Sequence, residues 1–266
     1  MSEPGGRDLV ALPRAAVLML WASAYLRGDV GPDDVTELSI GADRSGPSGQ
    51  GEDLFDWLTA LRRLPLPQLR LVLPAPGRIA GLVGPPQALP AALEAEQAIV
   101  VTVAGIAGIA DHTLVPLVTE VPESARPMHA VTWMRFPAPL GAQVPPPASS
   151  GSAREELLHA LRRTAEGSVD LDLVPDEPVE LARVPATWTT TGLPRHLEAG
   201  TAHLLVLAAR TLLLTRSEIE EGHGHTQHLA EALARRGLLD ELHDAARSAL
   251  VEVIERIVTA ETDGIG

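Results

Sequence analysis

Apolar residues recur at helical spacing in the first quarter of the chain. The run Pro13–Arg27 predicts a buried helix that stops at Gly28. Residues 52–64 place their leucines and Phe55 along one apolar face, which predicts a second, amphipathic helix. A glycine- and serine-rich loop at residues 41–51 separates the two helices.

The middle of the chain changes to short apolar runs between turn residues. Such runs predict strands, and they fall at residues 69–73, 79–83, 98–103, the stretch before 121, and 128–136. Residues 87–96 have helical composition. Because the connections between the strands are short, we expect hairpins and an antiparallel or mixed sheet.

Helical patterning returns after a proline-rich segment. Residues 137–151 carry five prolines and no charge, which is typical of a linker. Four helical segments then follow, at residues 152–166, 198–216, 226–236 and 238–261, with Gly237 predicted to form a turn between the last two.

These patterns together predict an α+β fold. A small, mostly antiparallel or mixed sheet spans about residues 69–136, N-terminal helices precede it, and a C-terminal helical layer follows it. We expect a sheet-containing half at 1–136, a linker at 137–151 and a helical half at 152–266. The two halves form either separate domains or one compact unit.

Composition excludes several classes of function. With 45% hydrophobic residues the chain can bury a core. It contains no cysteine, which excludes disulfides, thiolate nucleophiles and cysteine-ligated metals. The net charge is −14, every basic residue is arginine, and the densest basic clusters are isolated pairs. We therefore expect no nucleic-acid partner and no attraction to anionic membranes.

Two apolar stretches fall short of a membrane span. Residues 98–110 contain two glycines and residues 204–214 contain Arg210, and both runs are shorter than the roughly 20 residues that a spanning helix needs. The N-terminal apolar run lacks a net positive leader, which indicates a core helix rather than a signal peptide. We expect a cytoplasmic protein.

One segment carries a resemblance to a known family. The run LRLVLPAPGRIAGLVGPPQALPAALEAEQAIVV, residues 69–101, resembles a segment of uncharacterised actinobacterial proteins of similar length. The preceding tryptophan-bearing helix fits the same resemblance. No function is assigned to that family, so the resemblance implies a GC-rich actinobacterial source and implies no activity.

The most conspicuous polar motif is a histidine cluster. His223, His225 and His228 bring three imidazoles into six residues, and imidazole is a common ligand of divalent transition metals. These residues are candidates for a single divalent metal site. The alternative is a solvated loop between two helices, in which case no cofactor is expected.

A second candidate site is the turn between the first two predicted strands. Backbone N–H groups at Gly77 and Gly81 and the guanidinium of Arg78 could hold an anionic ligand. The prolines around them remove N–H donors, and no phosphate-loop pattern is present, so a rigid turn is the competing interpretation.

Catalytic signatures are weak. The chain has no G-x-S-x-G elbow, and pairs such as Asp111-His112 or the run Thr189–Thr191 are common by chance. We therefore expect a non-enzymatic interaction or regulatory protein that binds a protein partner or a second copy of itself. The alternative is a small-molecule or metal-dependent enzyme, or a ligand-binding protein, that uses the histidine cluster or the Arg78 turn.

Overall fold

The computed structural model of the protein describes residues 9–46, 51–65, 67–103, 109–122, 128–145, 152–170, 184–194, 197–221 and 229–262. The chain divides into two compact units. The first unit combines residues 1–147 with 185–197 and 254–266, and the second combines residues 148–184 with 198–253. Both units are therefore discontinuous in sequence.

Three helices open the first unit: α1 (Arg14–Arg27), α2 (Pro32–Ile40) and α3 (Leu54–Leu61). Helix α1 is buried along most of its length, as its apolar sequence predicts, and it ends at Gly28 in the left-handed conformation (φ +87°). Helix α3 is amphipathic, and the Asp53 carboxylate caps it by accepting hydrogen bonds from two backbone N–H groups.

A five-stranded sheet forms the centre of this unit. Its strands are β2 (Arg44–Ser45), β3 (Pro67–Val72), β4 (Ala98–Val103), β5 (Ile109–Glu120) and β6 (His129–Pro137), in the spatial order β2-β6-β5-β4-β3. The pairs β3–β4, β4–β5 and β5–β6 are antiparallel, and only the two-residue β2 runs parallel to its neighbour. The predicted mostly antiparallel or mixed sheet is confirmed.

Helix α4 (Ala88–Ala95) packs its alanines against this sheet. Ala92 and Ala95 lie in one apolar cluster with Val100 of β4 and Val115 of β5. Small side chains on the helix allow its backbone to approach the β-branched side chains of the strands closely. The helix predicted at residues 87–96 is confirmed.

A separate two-stranded ribbon pairs distant parts of the chain. Strand β1 (Val10–Pro13) runs antiparallel to β7 (Trp188–Thr191), with Val10 opposite Thr191. The sequence did not predict β7, because it has only four residues and its partner lies more than 170 residues away. The predicted helical half therefore also contains a strand.

The second unit is helical. It contains α5 (Ala153–Asp170), α6 (Ala199–Glu221) and most of α7 (Leu229–Thr262). The end of α7 belongs to the first unit, where Glu255 pairs with Arg70 of β3 at 3.5 Å. Helices in both halves together with a mostly antiparallel sheet confirm the α+β class.

The strand predicted at residues 79–83 is wrong. This segment forms turns instead: Leu82 N–H donates to Ile79 O, and Gly81 adopts a φ of +89°. The carbonyl of Val83 accepts from the Thr113 hydroxyl of β5 rather than from a paired strand. A left-handed glycine interrupts the extended conformation that the short apolar run suggested.

The helix break predicted at Gly237 is also wrong, because α7 continues through this residue. Good helix formers surround the glycine, and Arg236 pairs with Asp240 one turn later at 3.0 Å. The cost of one glycine, about 1 kcal/mol, is too small to end a helix of this length.

Candidate functional site

The histidine cluster lies outside the described residues. His223, His225 and His228 fall between the end of α6 and the start of α7, and the metal site proposed for them remains a prediction. Elsewhere, the described part of the chain holds no group of three or more His, Cys, Asp or Glu side chains that could bind a metal ion.

The Arg78 turn lies at the surface of the first unit. Arg78 N–H donates to Ala75 O at 2.8 Å, and Ala75 N–H donates to Arg78 O at 3.0 Å. Gly77 supplies the positive φ of +78° that a Pro-Gly turn requires, and both Gly77 and Arg78 are exposed. Since the turn itself uses the N–H of Arg78, this donor is not available to an anion. Binding by Gly77, Arg78 and Gly81 remains a prediction.

A chain of polar side chains connects helix α3 with the sheet. The indole Nε1–H of Trp57 donates to His112 Nε2 at 2.8 Å, and His112 Nδ1 lies 2.6 Å from Asp111 Oδ2. The indole and imidazole rings meet edge to face, at an interplanar angle of 89°. An indole N–H can only donate, so Nε2 accepts and the ring proton resides on Nδ1, which donates to the carboxylate.

The hydrogen-bonded series Trp57–His112–Asp111 continues to the protein surface through charged residues. Arg135 bridges two carboxylates. Its Nη2 lies 3.3 Å from Asp111 Oδ2, and its Nη1 lies 3.5 Å from Glu52 Oε1. Asp111 and Arg135 are each about one-third exposed, whereas the His112 side chain is only 2% exposed. The imidazole is thus buried beneath a surface ion-pair network.

Burial keeps His112 neutral. Desolvation lowers its pKa below the ordinary histidine value, and the nearby Arg135 charge lowers it further. The hydrogen bond and the negative charge of Asp111 act in the opposite direction without reversing the shift. A neutral ring agrees with the hydrogen bonds, because Nε2 must remain an acceptor.

A second polar cluster surrounds Arg14 at the start of α1. Its guanidinium is 1% exposed and donates to Ala186 O at 3.1 Å, to Ile40 O at 2.9 Å and to the Asp43 carboxylate. Burial lowers the pKa of Arg14, and Asp43 opposes this shift. Asp43 also accepts the backbone N–H of His129 at 2.9 Å. The guanidinium thus supplies a hydrogen-bond donor at the C-terminal end of α2, where carbonyl groups lack helical partners.

Gln97 completes the N-terminal end of α1. Its Oε1 accepts Ala15 N–H at 2.7 Å, and its Nε2 donates to Thr187 O at 2.6 Å. The side chain is buried, and it replaces the capping side chain that Pro13 cannot provide. Gln97 therefore joins α1, β4 and the segment that leads into β7.

The second unit has its own histidine network. His243 Nδ1 lies 2.9 Å from the Thr215 hydroxyl, and His243 Nε2 lies 2.9 Å from an Arg247 amino group. Because a guanidinium can only donate, Nε2 is the acceptor here too. Both ring nitrogens thus have partners within the α6–α7 pair.

The two histidines of the five-stranded sheet lie far apart. His112 lies opposite Pro137 at one end of the β5–β6 hairpin, and His129 lies opposite Glu120 at the other. Eight residues of strand correspond to about 26 Å, at ~3.3 Å per residue. The pairing of Trp57 with His112 was missed because the two residues are 55 positions apart and no spacing signal connects them.

The threonine run and the tryptophans have structural roles. Thr191 Oγ1 accepts the Trp21 indole N–H at 3.1 Å and donates to Gly192 O. All four tryptophans are buried.

The fold and these networks define the class of this protein: an α+β chain whose first unit joins helices to strands through buried polar side chains. Residues 15–150 match the family described as Rv1486c-like protein, N-terminal domain. The match spans just over half of the chain, so the chain belongs to this family. No curated protein and no solved structure matches the chain significantly. In the described residues, no helix has the length and apolarity needed to cross a membrane.

Proposed function

We propose that this protein is a non-enzymatic interaction or regulatory protein that acts in the cytoplasm by binding a protein partner or a second copy of itself. The main support is the state of Asp111-His112, the carboxylate–imidazole pair with the best geometry for acid–base chemistry. Both imidazole nitrogens are occupied and the ring is buried.

Catalysis would require a free ring nitrogen. A general base must come within about 2.6–3.2 Å of the proton that it abstracts, directly or through one water. The acceptor nitrogen Nε2 of His112 already takes the Trp57 indole N–H, and Nε2 of His243 already takes an N–H of Arg247. These two histidines therefore support a structural role rather than a catalytic one.

The contact surface that we propose lies on the second unit. Leu214 of α6 is 43% exposed, and Leu233 of α7 is 64% exposed. Exposed leucines on helices are typical contact points for a partner helix, although single exposed apolar residues also occur on monomers. Leu214 and Leu233 are thus the positions at which substitution best tests the proposal.

The experiment is size-exclusion chromatography with light scattering, followed by co-purification from native extract and reconstitution with the purified partner. We expect a dimer or a defined complex that Leu214→Gln combined with Leu233→Gln weakens at least tenfold. Leu140→Gln is the matched control, since Leu140 is fully exposed in the first unit. A strict monomer that forms no complex with any purified candidate would contradict the proposal.

The alternative enzyme function is tested at the histidine cluster. Three imidazoles in six residues are the feature on which a divalent metal site would depend, and elemental analysis of the purified protein measures the bound metal. We expect no stoichiometric metal, and a change within about ±0.5 kcal/mol per site when His223, His225 and His228 are all replaced by alanine. Loss of a tightly bound metal in this variant would favour the enzyme instead.

A further inference from the structure

Besides its buried apolar face, two side-chain hydrogen bonds join helix α3 and its C-terminal cap residue to other elements of the first unit. Near its middle, Trp57 is 1% exposed and donates to His112 of β5. At its end, the Arg62 guanidinium lies 4.4 Å from the Tyr25 ring centroid and donates to Tyr25 O at 2.9 Å. Only the first of these two contacts involves an imidazole, the side chain whose ordinary pKa lies near the middle of the range between pH 5 and pH 8.

Protonation of His112 is incompatible with its bond to Trp57. The neutral ring carries its proton on Nδ1 and presents Nε2 as the acceptor. A second proton can only go to Nε2, where it would place an N–H donor opposite the indole N–H donor at 2.8 Å. The two donors cannot both remain buried and satisfied, since an unpaired buried polar group carries a large free-energy cost.

The charged groups around the ring do not remove this conflict. Asp111 of β5 already accepts the Nδ1 proton, and Arg135 of β6 adds a positive charge. Glu52, before α3, pairs with Arg135 rather than with the imidazole. The Asp53 carboxylate caps helix α3. Strand β4 places the apolar Val101 opposite His112. None of these groups supplies an acceptor at Nε2.

We propose that the Trp57–His112 hydrogen bond is an acid-sensitive latch, and that protonation of His112 at Nε2 releases helix α3 from the sheet. Solvent supplies the proton once α3 opens, because the closed ring is inaccessible. Release exposes the apolar face of α3, which consists of Leu54, Trp57, Leu58 and Leu61. The latch is closed at neutral pH and opens as the pH falls.

Amide hydrogen exchange in the full-length protein tests this latch. Backbone amides of α3, including Arg62 N–H, which donates to Leu58 O, are measured as protection factors between pH 7.5 and pH 4.5. The opened form binds one more proton than the closed form, so the opening equilibrium should rise about tenfold per pH unit below about 6.5. It should level off below the lowered pKa of the closed state. Amides of α4 are the internal reference and should stay protected.

Two variants at matched positions identify the titrating group. His112→Gln keeps an uncharged acceptor and should abolish the acid response of α3. His129→Gln, at the other end of the same hairpin, should leave that response unchanged. Wild-type α3 amides that keep full protection down to pH 4.5, or that open with α4, would overturn the latch. An acid opening of α3 in His112→Gln that equals the wild-type opening would overturn it as well.

A third variant keeps the proposal testable if His112→Gln does not fold. Trp57→Phe removes the opposing indole donor while it leaves the imidazole in place. The NMR titration midpoint of the His112 ring should then move upward, toward 6.5. A midpoint that stays at its wild-type value would show that the indole does not oppose protonation and would overturn the proposal.

Discussion

At the residue scale, the buried polar side chains of the first unit complete backbone groups that secondary structure leaves unpaired. Arg14 donates to the last carbonyl of α2, and Gln97 accepts an N–H at the start of α1. These two helix ends therefore depend on a residue from another element rather than on a capping side chain of their own. Loss of such a residue leaves both its own partner and a helix end unsatisfied.

Replacement of Arg14 by methionine should be strongly destabilising. The change removes the ion pair with Asp43 and leaves the carbonyl of Ile40 without its guanidinium donor. Breaking a buried pair in this way typically costs about 3–5 kcal/mol. Urea unfolding followed by tryptophan fluorescence measures the loss, since all four tryptophans lie in this unit.

The control for this substitution is Arg44→Met. Arg44 lies on the exposed strand β2 of the same unit, so its replacement should change the unfolding free energy by about ±0.5 kcal/mol or less. An equal effect of the two substitutions would mean that Arg14 contributes through its charge to the whole unit and not through its buried contacts.

At the element scale, local patterns located most helices and strands of the first unit correctly. Helices α1, α3 and α4 and strands β4, β5 and β6 all lie where apolar spacing placed them. Strand β7 was missed because its stability comes from pairing with β1, far away in sequence. The Trp57–His112 bond could not be predicted either, since it depends on how α3 packs on the sheet. Sequence periodicity shows which face is buried but does not identify the partner.

Helix α7 offers a test of its unexpected continuity. Gly237 lies within the helix, and a Cβ atom added there would meet no other atom within 4 Å. Gly237→Ala should therefore stabilise the helix by about 0.5–1 kcal/mol, because alanine loses less backbone entropy on folding. Helical circular dichroism during thermal unfolding measures the gain.

Gly167→Ala is the matched helical control in the same unit. A Cβ atom at Gly167 would come within 2.5 Å of Leu238 Cδ1, so the neighbouring side chain must move. The gain from alanine should be reduced or lost at this position. If Gly237→Ala destabilised the protein instead, a turn at this residue would again be the better interpretation.

At the scale of the whole molecule, charge and burial act together when the pH falls. The chain carries a formal charge of −14 at pH 7 and has an isoelectric point of about 5.0. Electrostatic repulsion between copies of the chain opposes their association at neutral pH and fades toward pH 5. The stabilising contribution of neutral His112 is complete above its unfolded pKa of about 6.5. Below that value it declines by about 1.4 kcal/mol per pH unit, until the lowered pKa of the folded state is reached.

These two effects are separable by one substitution. His112→Gln removes a single titrating group and barely alters the overall charge, so light scattering should still show a solubility minimum near pH 5. The same variant should show no acid opening of α3 in amide exchange. A solubility minimum that disappeared in His112→Gln would mean that the exposed apolar face of α3, and not the loss of net charge, drives association in acid.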